Sequence, residues 1–157
     1  MPKGFQPLFD SNSKILVLGS FPSVKSRQTE FYYGNKQNRF WKTLQSVFGG
    51  EIDTVEHKKQ LCLSNGVALW DIVESCDIVG SADVNIKNYR FVDLETLLKD
   101  TKISKILCNG TTSYRFTLSA YHGKLPVILL PSTSSANTRF DSEIWARELT
   151  TSTPQQF

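Results

Sequence analysis

The chain has 157 residues, 39% of them hydrophobic, a length at which one domain, read here as 1–157 with a core over about 14–149, buries a substantial core. A charged fraction of 21% and a net charge of +3 permit a polyanionic partner without demanding one, and no stretch approaches the roughly 20 apolar residues of a membrane span. Three widely spaced cysteines (Cys62, Cys76, Cys108), with no C-x-x-C pair or partnered histidine, suggest neither a disulfide framework nor a zinc or iron-sulfur site.

The first apolar run, Lys14 to Gly19 (KILVLG), reads as a buried strand, because continuous apolar character is what a sheet covered on both faces requires. Arg39 to Phe48 has helical spacing, with Phe40, Leu44 and Val47 on one face. Gly66 to Ile72 (GVALWDI) is the second strand. Leu94 to Leu98 supplies a short helical stripe, Lys105 to Gly110 (KILCNG) the third strand, and Thr112 to Tyr121 a helix with Tyr114, Phe116 and Leu118 near one face. Pro126 to Ser132 (PVILLPS) is the fourth strand, and Asp141-Ser142 is placed to cap a helix through Glu143 and Trp145. Strands alternating with helices predict βαβ units and a mostly parallel sheet between helical layers. The tail from Thr150 to Phe157 (TTSTPQQF) is polar and expected to fray.

Ligands in such folds sit beyond the carboxyl ends of the strands. Those ends read Gly19-Ser20-Phe21-Pro22-Ser23, Trp70-Asp71, Asn109-Gly110-Thr111-Thr112, and Pro131-Ser132-Thr133-Ser134-Ser135-Ala136-Asn137. After the first of them, three consecutive aromatics (Phe31, Tyr32, Tyr33) run among Lys25, Arg27, Lys36, Arg39 and Lys42. Aromatics interleaved with basic residues suit a base and its phosphates. The same pattern also fits Phe40 and Trp41 in a core with the lysines on a solvated face. The hydroxyl-rich fourth end, closed by Arg139, fits a phosphate-wrapping loop or a helix cap. G-x-S-x-G, H-E-x-x-H, G-x-x-x-x-G-K-[ST] and G-x-G-x-x-G are all missing, which argues against serine hydrolase, zincin, phosphate-loop and dinucleotide chemistries. His57 and His122 lie in polar stretches and read as surface residues.

In this order the loops resemble the uracil-DNA glycosylase superfamily, and within it the hypoxanthine (deoxyinosine) glycosylase branch. The resemblance rests on Gly19-Ser20-Phe21-Pro22-Ser23 with Ser26, on Tyr32-Tyr33-Gly34 through Asn38-Arg39-Phe40-Trp41, on Leu69-Trp70-Asp71 with Gly80-Ser81-Ala82-Asp83, on Asn109-Gly110, and on Leu130-Pro131-Ser132-Thr133-Ser134. It implies a three-layer α/β/α fold around a four-stranded parallel sheet in the order 2-1-3-4. It implies a monofunctional enzyme that flips a deaminated base out of DNA and hydrolyses its bond to deoxyribose, without metal or other cofactor.

By family position, Tyr33 stacks on the flipped base and Ser20 and Phe21 line its edge. Ser23, Ser26 and Ser132 hold flanking phosphates, Lys25 and Arg39 add phosphate contacts, and Ser134, Ser135 and Asn137 belong to the segment that fills the vacated stack. Most of the superfamily carries Asp or Asn before the motif proline to position the attacking water; Phe21 stands there and cannot. The hypoxanthine branch assigns that task to the asparagine before Arg-Phe-Trp, which is Asn38, although Asn38 also fits a helix cap. Asp83 is an auxiliary candidate or a turn residue, and Asn109 either reads the base edge or satisfies backbone groups. A uracil or mismatch-thymine glycosylase, and an inert nucleic-acid-binding relative, remain alternatives. A monomer acting on damaged DNA, away from membranes, in a prokaryotic cytoplasm or eukaryotic nucleus, is expected.

Overall fold

The computed structural model describes residues 2–151, so the predicted tail beyond Thr151 lies outside the described residues. Four parallel strands, β1 (Ile15–Gly19), β2 (Val67–Asp71), β5 (Lys105–Asn109) and β6 (Val127–Leu130), form a sheet in the order β2-β1-β5-β6. Counting only these strands, that is the expected 2-1-3-4 order.

The strand interiors are apolar because the sheet is covered on both faces. Ile15, Val17, Val67, Leu69 and Leu107 join Phe40, Trp41, Leu44, Leu61 and Trp145 from helices α2 (Phe40–Phe48), α3 (Val55–Ser64) and α6 (Ser142–Thr150). Their strand neighbours Leu16, Leu18, Ala68, Ile106 and Cys108 face the other way, with Leu94 and Leu97 of α4 (Leu94–Lys99) and the half-buried Tyr114 and Phe116 of α5 (Thr111–Ala120). At the sheet edge, Leu8 bridges Leu69 with an N–H to O=C bond of 2.9 Å each way, covering the open side of β2.

Two polar devices fix the layers. The buried Lys105 ammonium receives the end of α6, donating to the carbonyls of Glu148 and of Thr151 (2.8 Å) and pairing with the Glu148 carboxylate at 3.4 Å. Ser113 donates to the Leu18 carbonyl at 2.7 Å, seating α5 on β1.

Three features depart from the sequence expectations. On α5 the buried residues are Ser113 and Thr117, while Leu118 is exposed. Positions two apart diverge around a helix, whereas 113 and 117, four apart, share a face. A second sheet, the antiparallel hairpin β3 (Val73–Asp77) and β4 (Lys87–Phe91), follows β2 directly and was not expected; its exposed residues mix polar side chains with Tyr89 and show no clean alternation. Helix α1 (Val24–Thr29) and α3 were also unexpected, since each buries so few residues (Ser26; Leu61 and Cys62) that no apolar stripe marks it. Among the described residues, no helix is long and apolar enough to cross a membrane.

Candidate active site

A cleft of about 580 Å³ opens beyond the carboxyl ends of β1, β2, β5 and β6, within the range of small-ligand sites. Its lining includes Ser20, Phe21, Ser23, Ser26, Tyr33, Asn38, Asp83, Asn109, Ser132, Ser134, Ser135 and Asn137, so all but two of the predicted site residues converge here. Lys25 and Arg39 are the exceptions. Lys25 is exposed on α1 and Arg39 stands behind one wall.

The aromatic run divides its labour. Phe31, Tyr32, Phe40 and Trp41 are core, as the second reading of that run held, with the Trp41 indole donating to the Tyr32 carbonyl at 2.9 Å. Tyr33 alone of the three consecutive aromatics is half-open, its ring stacked on Phe40 at 4.2 Å between centroids. Its φ of 53° is in the left-handed region, a conformation that costs an aromatic residue about 1–3 kcal/mol. Gly34 permits the turn: a Cβ there would overlap Thr29 Oγ1 and press Ser26 Cα at 3.3 Å.

The first loop is held from within. Ser23 caps α1 by accepting from the Ser26 amide at 3.1 Å, its hydroxyl meets that of Ser26 at 3.1 Å, and Ser26 in turn accepts from the Gly34 amide at 2.9 Å. Ser20 donates to Asp83 Oδ1 at 2.6 Å, tying the loop to the hairpin turn. Phe21 is buried beside the cleft with the Arg27 guanidinium 5.7 Å from its ring centre.

Asn38 makes one local bond and faces the cleft. Its Oδ1 accepts from the Phe40 amide at 2.9 Å, capping the first turn of α2, while the side chain lines the cleft. One Oδ1 lone pair and the amide NH₂ are left for a ligand or water. Asn109 is tied to the returning loop: its Oδ1 accepts from the Thr133 amide and its Nδ2 donates to Thr133 Oγ1, both at 2.9 Å, while the side chain still lines the cleft. Arg39 donates to the carbonyls of Ser134 (3.1 Å) and Asn137 (3.0 Å), and Asn137 Nδ2 donates to the Ser132 carbonyl at 2.9 Å. The hydroxyl-rich loop is therefore shaped by Asn109, Arg39 and its own amides.

One cleft residue escaped the sequence reading. Asp71, the last residue of β2, is 5% exposed, and its Oδ2 has no partner among the described residues. Burial, reinforced by the Asp83 carboxylate, pushes its pKa up to about 7. The buried Tyr33 hydroxyl is also unpaired, and burial with the neighbouring Asp71 charge pushes its pKa further up. A buried polar atom without a partner is rare unless something else occupies it. The available signal was an acid ending an otherwise apolar strand at the end where ligands bind.

Among the described residues, one group of side chains has metal-ligating atoms within 4.8 Å of one another, Glu51, Asp53 and His57. None of the three lines the cleft. Asp53 and Glu51 instead hold the His57 imidazole, raising its pKa.

The model of the uracil DNA glycosylase superfamily matches residues 6–150, nearly the whole chain. The chain belongs to this superfamily. A hypoxanthine DNA glycosylase of Methanosarcina barkeri is 32% identical over 143 residues, covering 87% of this chain and 89% of that protein. A second, of Methanosarcina acetivorans, is 30% identical over 141 residues, covering 88% and 89%. The solution structure of a candidate uracil DNA glycosylase from Methanosarcina acetivorans superposes with a TM-score of 0.81 at 29% identity, over 94% of this chain and 95% of that one.

Set in the superfamily, Phe21 removes the acid or amide that most members place before the motif proline. In this member the amide and carboxyl groups lining the cleft come from elsewhere, Asn38 and Asp71 among them.

Proposed function

We propose that the protein is a DNA glycosylase that flips a deaminated base, hypoxanthine by preference, into the cleft and hydrolyses its bond to deoxyribose. The observation that carries this is the meeting, in one cleft at the strand ends, of an aromatic platform (Tyr33 on Phe40), an unpaired carboxyl (Asp71) and an amide with a free lone pair (Asn38). The names of the two Methanosarcina relatives support the purine preference. The whole chain, 1–157, is read as one domain acting as a monomer inside the cell.

A base in the duplex is out of reach and must be extruded; Tyr33 then stacks on its face. Breaking the bond from C1′ to N9 sends the electron pair into the purine and leaves positive charge on the sugar. Asn38 accepts a hydrogen bond from a water and so aims its oxygen lone pair at C1′; the proton that water loses passes to solvent, because an amide is too weak a base to keep it. The Asp71 carboxyl, neutral below about pH 7, donates its proton toward the departing base and offsets the charge developing there. Ser23, Ser26 and Ser132, with Lys25 outside the cleft, meet the flanking phosphates, and Ser134, Ser135 and Asn137 shape the wall beside them.

The test is alkali-revealed strand cleavage of matched oligonucleotides carrying deoxyinosine, deoxyuridine, deoxyxanthosine or no lesion. Cleavage greatest at deoxyinosine is expected. Greater cleavage at deoxyuridine would move the assignment to a uracil glycosylase of the same fold, and lesion-dependent binding without cleavage to an inert relative.

A further inference from the structure

Phe21 leaves the first loop of the cleft without an acid, and Asn38 can aim a water but is too weak a base to keep its proton. The residue beside Phe21 has what both lack. Ser20 is 9% exposed, and its hydroxyl donates to Asp83 Oδ1 at 2.6 Å, the short distance expected of a hydroxyl on a carboxylate. Ser20, Asp83 and Asn38 all line the cleft. With its own proton committed to Asp83, Ser20 Oγ offers lone pairs only, and no donor among the described residues fills them.

A tie between loop and hairpin turn does not by itself require this pair. The Val24 amide donates to Ser81 Oγ at 2.9 Å and the Arg27 guanidinium to the Gly80 carbonyl at 2.7 Å, joining the same two segments. Within the turn, Asn85 Nδ2 donates to the Val79 carbonyl at 3.1 Å, and the buried Ile86 anchors its far end. Asp83 itself is exposed, so its carboxylate reaches bulk water on one side and Ser20 on the other. The other cleft carboxyl, that of Asp71, is buried. Two carboxyls in such different surroundings suit opposite proton transfers.

We propose that Ser20 and Asp83 form a relay that carries the proton of the attacking water out of the cleft, Ser20 meeting the water and Asp83 accepting through it. This rests on the glycosylase reading and names the path by which that proton reaches solvent. As the water oxygen bonds to C1′, one of its protons passes to Ser20 Oγ and the proton already on Ser20 passes to Asp83 Oδ1. The electron pair of the breaking bond from C1′ to N9 stays with the purine. Ser20 ends the step as a hydroxyl again, and Asp83 releases its new proton to bulk water. Asp83 is thus a positioning and relay residue, since it acts on the water only through Ser20.

The experiment compares single-turnover release of hypoxanthine from a deoxyinosine duplex by the wild type, D83N, D83A, S20A and S20A/D83N, with a thermal melt and a duplex Kd for each. In D83N the amide oxygen still accepts from Ser20, so this variant is expected to melt like the wild type and to bind the duplex no more weakly. Its rate is expected to fall about a hundredfold, and sodium formate to restore D83A about tenfold over the same concentration of sodium chloride by supplying the missing carboxylate. The double variant is expected to be no slower than the slower single one, because both remove the same path. D83N at the wild-type rate, D83A unchanged by formate, or additive losses in S20A/D83N would overturn the relay alone. A folded wild type that releases no base would overturn the glycosylase reading and the relay with it.

Discussion

Gly19 and Asp71 stand opposite one another in the β1–β2 ladder, and the Asp71 carboxyl occupies the space that a Cβ on residue 19 would fill. The glycine that ends β1 is thus a condition for the acid that ends β2. Gly19→Ala is expected to cost about 1–3 kcal/mol by overpacking, and less in an Asp71→Ala background where the space is open. Urea unfolding of the four proteins of this cycle checks it; equal costs in both backgrounds would show that the two residues do not compete for that space.

Asp71 also sets a pH dependence. Its pKa rises from 3.8 to about 7 on folding, so between those values the native state holds a proton that the unfolded chain has released. Its contribution to stability is therefore fully present below about pH 4 and is lost as pH rises to about 7. Asp71→Asn, which cannot ionise, is expected to gain stability over the wild type more at pH 8 than at pH 5. In activity, the wild-type kcat/KM falls above about pH 7 and the variant lacks that limb. Parallel pH profiles would remove Asp71 from the chemistry.

Asn38 caps α2 and lines the cleft, and substitutions separate the two roles. Asn38→Ala is expected to lose about 1 kcal/mol of stability with the cap, and about a hundredfold or more in single-turnover rate with the loss of the oriented water. Asn38→Asp keeps a capping oxygen and is expected to melt like the wild type. An Asn38→Ala enzyme that is destabilised but keeps its rate would leave the residue a cap only.

Lys25 and Arg39 were read alike in the sequence, but Lys25 is exposed outside the cleft whereas Arg39 is tied to the loop after β6. Lys25→Ala is expected to weaken DNA binding on all sequences and lower the slope of log K against log salt by about one. Arg39 holds the Ser134 and Asn137 carbonyls, so Arg39→Ala is expected to weaken excision with a smaller change in slope, and Arg39→Lys to restore little because it cannot reproduce the two-carbonyl grip. Salt titrations of both variants distinguish a phosphate contact from a loop support.

The parallel sheet was legible because strands covered on both faces leave continuous apolar runs, and the cleft because such sheets bind ligands at their carboxyl ends. The hairpin β3–β4 was not: burial along β3 does not alternate and β4 is exposed almost throughout, so no period marks either strand. The amide of Asn109 could not be assigned from spacing, since whether it meets a base or Thr133 depends on how the loop after β6 returns. Asp71 was in view at a strand end, but only packing reveals that its carboxyl is buried and unpaired.

The most direct test of the central claim is single-turnover release of hypoxanthine from a duplex holding one deoxyinosine, measured for the wild type beside Asn38→Ala. Release by the wild type that largely disappears in the variant is the predicted result. No release by a folded wild type, or equal release by both proteins, would contradict the account.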